Sequence, residues 1–155
     1  MTLADIIDSR AVLANIKAQS KKQLLQEISQ ALAGLVTVDQ RIIFEVLNTR
    51  EKLGSTGLGQ GIAIPHGRLQ GINRVYGLFA RLSTPVAFDS VDGQPVDLVF
   101  AILAPTHAGA DHLTALARIS RLLREPRTVA KLRGTDTPEG LFAVLTEPVT
   151  SASAA

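Results

Sequence analysis

One histidine in this chain is set apart by its neighbours. His66 ends the run IAIPHG, at the close of a stretch from Gly54 to Gly67 that holds five of the 12 glycines. Pro65 fixes its own φ and pushes Ile64 toward extended geometry. A short strand over 62–64 should therefore end in a stiff hinge that presents His66, and Gly67 has no side chain to block a partner approaching the ring. Imidazole has an ordinary pKa of about 6.5. At neutral pH it is mostly uncharged, with one N–H and one lone-pair nitrogen. Such a ring can attack phosphorus without a metal or a separate base, and the phosphoramidate formed is labile enough to pass its phosphoryl group on. Groups that would steady a phosphoryl dianion are present by type. Arg50 offers forked donors, Ser55 and Thr56 offer hydroxyls, and glycine-rich backbone can turn several N–H groups toward an anion.

His112 falls where a helix should begin, near Asp111. A helix N-terminus disfavours a cationic imidazole and favours a nearby anion. A neutral His112 would then donate to a phosphoryl group or steady the ring of His66. It reads equally well as a helix-start residue bonded to its own loop. His107, in PTHAGAD, reads as a solvated loop residue. The spacing of His107 and His112 does not put them on one helical face and no ligand motif surrounds them, so neither a metal nor another cofactor is expected.

The glycines fail both nucleotide patterns. Gly54 and Gly59 have the spacing that opens a phosphate-binding P-loop, but Gln60 and Gly61 stand where Lys and Ser or Thr belong. Gly57, Gly59 and Gly61 are spaced G-x-G-x-G, and the stretch follows a predicted helix, whereas a dinucleotide fingerprint follows a strand.

The elements that must position these residues can be read from periodicity and turn chemistry. Ser20 and Gln23 form a capping box. Leu24, Leu25, Ile28, Ala31 and Leu32 continue it as a helix, with Gly34 as the expected stop. Thr37–Gln40 repeats the capping signature, and Ile42, Ile43, Val46 and Leu47 place a second helix to about Lys52. Val75–Leu82 reads as a buried strand, Ser83–Pro85 as a turn, Val86–Phe88 as a short strand, and Val91–Pro95 as another turn. Val96–Leu103 is apolar enough for a central strand covered on both faces. In the helix after it, Leu113, Leu116, Ser120 and Leu123 are expected on one face, with Ile119 and Leu122 beside them. Pro126 suits the first turn of a further helix through Leu132. Thr137 caps a last one that turns Leu141, Val144 and Leu145 inward. The outcome is an α/β three-layer sandwich with a mixed sheet. One domain over 1–148 and a disordered tail over 149–155 are expected.

Composition narrows the functional classes. The chain has 155 residues, 46% hydrophobic and 19% charged, which suits a single globular domain. It has no cysteine, so disulfides, thiolate metal sites and cysteine nucleophiles are excluded. Sixteen basic against 14 acidic residues leave a formal charge of +2, and only 4% of residues are aromatic. That balance does not favour nucleic-acid binding, which wants clustered cations with stacking rings. Arg118, Arg121, Arg124 and Arg127 do form a basic ridge, read as a solvated face or as a dock for an acidic partner. No apolar run reaches the roughly 18 residues of a membrane span and no signal peptide is visible, so a soluble cytoplasmic protein without membrane insertion is expected.

The run REKLGSTGLGQGIAIPHGRL, Arg50–Leu69, resembles the active-site signature of the fructose/mannitol-type enzyme IIA domains of the bacterial phosphotransferase system. PVAFDSVDGQPVDLVFAILAP and HLTALARISRLL follow in the order that family shows, as does an opening of the LADIIDSRAVLANIKAQSKKQLLQEIS kind. The resemblance covers nearly the whole chain and leans toward the family's nitrogen-regulatory branch. Sugar-transporting members often carry Glu where Gln60 stands. The resemblance implies a mixed sheet of about five strands with helices on both faces. It implies that His66 is phosphorylated on Nε2 (a tele-phosphohistidine), that His112 is the second active-site histidine and that Arg50 lies near the phosphoryl group. The donor it implies is an HPr-like phosphocarrier protein. The output is regulation of partners such as potassium transport proteins or sensor kinases or, alternatively, transfer to a IIB domain of a sugar transporter.

Overall fold

The run Val96–Pro105 forms β6, the centre of the sheet. Every residue from Leu98 to Ala104 is fully buried. Successive side chains of a strand point to opposite faces, so both faces of β6 are covered, as its unbroken apolar run requires. The computed structural model describes residues 2–147; the expected tail over 149–155 lies outside them. Around β6 are ordered α1 (Leu3–Ile6), β1 (Ile7–Ile16), α2 (Lys21–Val36), α3 (Gln40–Leu53), β2 (Gly57–Gly59), β3 (Ile62–Ala63), β4 (His66–Leu69), β5 (Tyr76–Val86), α4 (Ala110–Leu122), α5 (Pro126–Arg133) and α6 (Pro138–Leu145).

The sheet is mixed and six-stranded, in the order β1-β5-β6-β3-β2, with β4 also paired to β6. β5 runs antiparallel to β6, and Phe79 faces Phe100 across the pair with their rings edge to face at 6.2 Å. β3 and β4 both run parallel to β6. Ile62 pairs Leu98 and His66 pairs Ile102, so the register is unchanged across Ile64–Pro65. The two are halves of one line along β6, interrupted where Pro65 has no N–H to give. The Pro65 carbonyl still accepts from the Ile102 N–H at 2.9 Å. His66 therefore starts a strand and is not the end of a hinge.

Local chemistry moves several expected boundaries. Ser20 caps α2 as read, its hydroxyl accepting from the Gln23 N–H at 3.1 Å. Gly34, however, lies inside α2, which ends at Thr37 in the left-handed region, φ 55°. Thr37 thus closes one helix and does not open the next; Asp39 is the cap of α3, accepting from the Arg41 N–H at 2.8 Å. Ser83–Pro85 is not a turn but an exposed bulge within β5, where the register with β6 shifts between Arg81 and Val86. A bulge is one of the few places in a sheet that takes a proline. Val86 ends β5 and starts no separate strand. The turn over Val91–Pro95 is present, with Gly93 at φ 74°.

α4 is rotated from its expected setting. His112, Ala115 and Ile119 face the core, while Leu113 is 67% exposed. On α3 the inward residues are Ile43, Leu47 and Glu51, and Ile42 turns outward at 49% exposure. The misplaced leucines and isoleucine share one destination, described next.

Candidate phosphoryl-acceptor site

A cleft of about 730 Å³ opens at the β4 end of the sheet, lined by Ile42, Val46, Arg50 and Leu53 of α3, His66, Gly67 and Arg68 of β4, and His112, Leu113 and Leu116 of α4 among others. Strand alternation builds it. A β-carbon on Gly67 would overlap Val46 Cγ1, so α3 lies hard against that face of β4. His66 points to the opposite face, where the His112 ring stands 5.6 Å away, centroid to centroid, at 69°. Gly67 is thus required by helix packing as well as standing beside the cleft. Leu113, Leu116 and Ile42, read as core residues from their spacing, are its apolar walls.

His66 is half-buried, and its Nδ1 lies 2.8 Å from the Ile64 carbonyl oxygen. A carbonyl can only accept, so Nδ1 carries the proton and Nε2 holds the lone pair. The ring's pKa is pushed down, chiefly by burial. The Arg50 cation acts in the same direction, while the Ile64 hydrogen bond and Glu51 oppose it. Burial and Arg50 favour the neutral ring and the Ile64 bond leaves Nε2 free, which together give the form a nucleophile needs. His112 is 6% exposed, and its Nε2 has no hydrogen-bond partner among the described residues. Its pKa is lowered by burial first, then by His66 and Arg68. A buried unpaired ring nitrogen costs free energy, about 1–3 kcal/mol, which a hydrogen-bonding group beside it would offset.

Arg50 brackets the cleft from the last turn of α3, one guanidinium nitrogen donating to the Gly54 carbonyl at 2.9 Å. The remaining donors of its fork suit an oxyanion. Arg68 is a second cation on the cleft wall that sequence reading passed over. Four groups therefore meet in one cleft: a neutral nucleophilic nitrogen, an unpartnered buried ring nitrogen and two guanidinium groups.

Two expected site residues are not brought to it. The Ser55 hydroxyl donates to the Phe88 carbonyl at 2.9 Å and accepts from the Gly57 N–H at 3.0 Å. Thr56 is 5% exposed, and both its N–H and its hydroxyl donate to the buried Glu51 carboxylate. Neither lines the cleft. The glycines before His66 do not form an anion cradle there either. Gly57–Ala63 is a tight hairpin whose two-residue tip, Gln60 and Gly61, has positive φ at both positions, as such turns demand. Asp92 holds the tip through the Gln60 N–H at 2.8 Å, and Arg133 holds it through the Gln60 carbonyl at 2.6 Å. His107 is exposed in the turn after β6. Arg118, Arg121, Arg124 and Arg127 are exposed and form no ion pair among the described residues.

The sequence matches the family described as "Phosphoenolpyruvate-dependent sugar phosphotransferase system, EIIA 2" over residues 5–147. It is 50% identical over 153 residues to the nitrogen regulatory protein of Bradyrhizobium diazoefficiens, covering 99% of this chain and 100% of that one. It is 38% identical over 148 residues to the nitrogen regulatory protein of Escherichia coli K12, covering 95% of this chain and 91% of that one. Among solved structures, nitrogen regulatory protein IIA-Ntr from Neisseria meningitidis superposes with a TM-score of 0.88 at 37% identity, covering 93% of this chain and 99% of that one. No helix among the described residues is long and apolar enough to cross a membrane. The chain belongs to the type-2 EIIA family of the phosphotransferase system, and the relatives it resembles over nearly their full length include nitrogen regulatory proteins.

Proposed function

We propose that the chain is a phosphohistidine carrier that accepts a phosphoryl group on His66 Nε2 from an HPr-like phosphocarrier protein and regulates partner proteins according to its phosphorylation state. The observation that carries this reading is the Nδ1–H of His66 held on the Ile64 carbonyl, which leaves Nε2 as the lone-pair nitrogen of a ring facing the cleft.

In the transfer, Nε2 gives its lone pair to phosphorus. The donor's P–N bond breaks, with its electron pair left on the donor nitrogen. His66 keeps the Nδ1 proton, and the Ile64 carbonyl stabilises the positive charge the ring gains. Arg50 neutralises part of the phosphoryl dianion, and His112 Nε2–H fills its vacant bonding position by donating to a phosphoryl oxygen. The apolar walls exclude water, which protects the labile P–N bond from hydrolysis.

Incubation with a phosphorylated HPr-like protein tests the chemistry. Wild type should gain one acid-labile phosphoryl group, and His66→Ala should gain none; labelled Ala variant would sink the assignment. The output is tested by comparing how the phosphorylated and free forms bind candidate potassium transport proteins and sensor kinases. Rapid onward transfer to a fructose- or mannitol-type IIB domain would instead favour a sugar-transport role.

A further inference from the structure

Next to Arg50, but not in the cleft lining, lies a buried carboxylate that the proposed transfer does not use. Glu51 is 6% exposed on the last turn of α3. Among the described residues, each polar contact it makes is with a donor. Lys21 Nζ, on the first residue of α2, lies 2.9 Å from Oε2, and the Thr56 N–H donates to Oε1 and Oε2 at 3.0 and 3.2 Å. The Thr56 hydroxyl donates to Oε1 as well. Lys21 is itself fixed over the Phe88 ring, 4.5 Å from its centroid, with Asp89 3.8 Å from the ammonium.

The bonds do not stop at Thr56. Its carbonyl accepts from the Ile64 N–H at 3.0 Å, and the Ile64 carbonyl in turn accepts from His66 Nδ1 at 2.8 Å. An unbroken series of one ion pair and three hydrogen bonds therefore runs from Lys21 through Glu51, Thr56 and Ile64 to the imidazole. Removing the carboxylate would unfix Thr56, whose carbonyl holds the Ile64 N–H, and so loosen the Ile64 carbonyl that selects the tautomer of His66. Glu51 also directly follows Arg50, so its anchoring sets where the guanidinium enters the cleft.

We infer that Glu51 is a positioning residue for phosphoryl transfer: its buried carboxylate, clamped by Lys21 and Thr56, holds Ile64 so that His66 presents Nε2 and Arg50 faces it. This inference rests on the proposed role of His66. It is distinct from a merely structural ion pair because it ties Glu51 to the protonation site of one ring.

Glu51→Gln is the test. Glutamine keeps the size but has one acceptor oxygen for three donors. Two measurements are made on the folded full chain: nitrogen NMR of the His66 ring, which separates the tautomers, and the rate of phosphoryl acceptance from a phosphorylated HPr-like protein. The variant should show both tautomers of His66 and accept phosphate about ten- to a hundredfold more slowly. Glu51→Asp, which keeps the charge, should recover part of the single-tautomer spectrum. Lys21→Met leaves Thr56 untouched and should move both readings the same way by less; it decides the matter if Glu51→Gln does not fold. A single Nδ1–H tautomer together with a rate within twofold of wild type in these variants overturns the inference. Failure of wild type to accept phosphate overturns the role of His66 instead, and the tautomer spectrum still reports on Glu51.

Discussion

His66 Nδ1 donates to the carbonyl of Ile64, two residues before it, across 2.8 Å. This short contact spans the proline that interrupts the strand, and it decides which nitrogen of the ring is nucleophilic.

A first prediction concerns pH. The His66 pKa is lowered, mainly by burial and then by Arg50, and only the neutral ring can attack. Phosphoryl acceptance should therefore be flat through neutral pH and fall only as pH drops below the ordinary imidazole value of about 6.5. Arg50→Gln removes a cation and should move that midpoint upward, as read from a rate profile. Stability follows with a definite sign. Both His66 and His112 have folded pKa values below the unfolded one, so between those values the unfolded chain binds more protons. Stability should fall as pH is lowered through about 6.5 and level off below the folded pKa.

A second prediction concerns the vacant nitrogen of His112. His112→Ala should slow phosphoryl acceptance by about a hundredfold, the order found for losing one charge-stabilising donor. It should leave the His66 tautomer unchanged. His112→Gln, which restores a donor on a side chain of similar reach, should recover part of the rate.

Gly67 gives a third. Gly67→Ala drives a methyl into Val46 Cγ1 and should cost about 1–3 kcal/mol in denaturant unfolding, the range for overpacking. The same change in a Val46→Ala background should cost at least about 1 kcal/mol less, because the two sites share one contact. Equal costs in both backgrounds would show that the glycine serves something other than the packing of α3.

A fourth is independent of the cleft. Thr37 holds a β-branched side chain in the left-handed region at the end of α2. Thr37→Gly should raise stability by up to about 1 kcal/mol in chemical denaturation, offset in part by loss of the hydroxyl bond to the Val36 carbonyl.

What could be read in the sequence follows from how local each cause is. The cap at Ser20, the proline starts of α5 and α6 and the apolar run of β6 act within a few residues, and the structure has them where the spacing puts them. β1 was not legible. Its buried residues Ile7, Ala11 and Val12 do not alternate, because the register with β5 shifts twice. β4 was not legible either, since in HGRL only Leu69 is a core residue and pairing with β6 makes the strand. The apolar stripes of α3 and α4 looked wide because they serve two purposes. Ile43, Leu47 and Ile119 fill the core, while Ile42, Leu113 and Leu116 wall the cleft. At the site, His66, His112 and Arg50 could be named from residue type, and the structure brings them to one cleft. Ser55 and Thr56 are as near in sequence, but which way a hydroxyl points depends on Phe88 and Glu51, which sequence does not place. Glu51 did leave a signal. It continues the inward stripe of Ile43 and Leu47 at four-residue spacing, and a carboxylate on such a stripe needs donors to meet it.

The pairing of β4 with β6 has a consequence for signalling. His66 and Gly67 are in register with Ile102 and Leu103, both fully buried, so the proposed acceptor histidine is paired directly to the buried central strand. On the proposed function, gaining a phosphoryl group would alter the charge at the mouth of the cleft and leave the backbone where it was. A protein that discriminates the two forms must then touch the same few square nanometres as the donor that creates them. Loading and readout would exclude each other in time, and the order of visits to one face would carry the message.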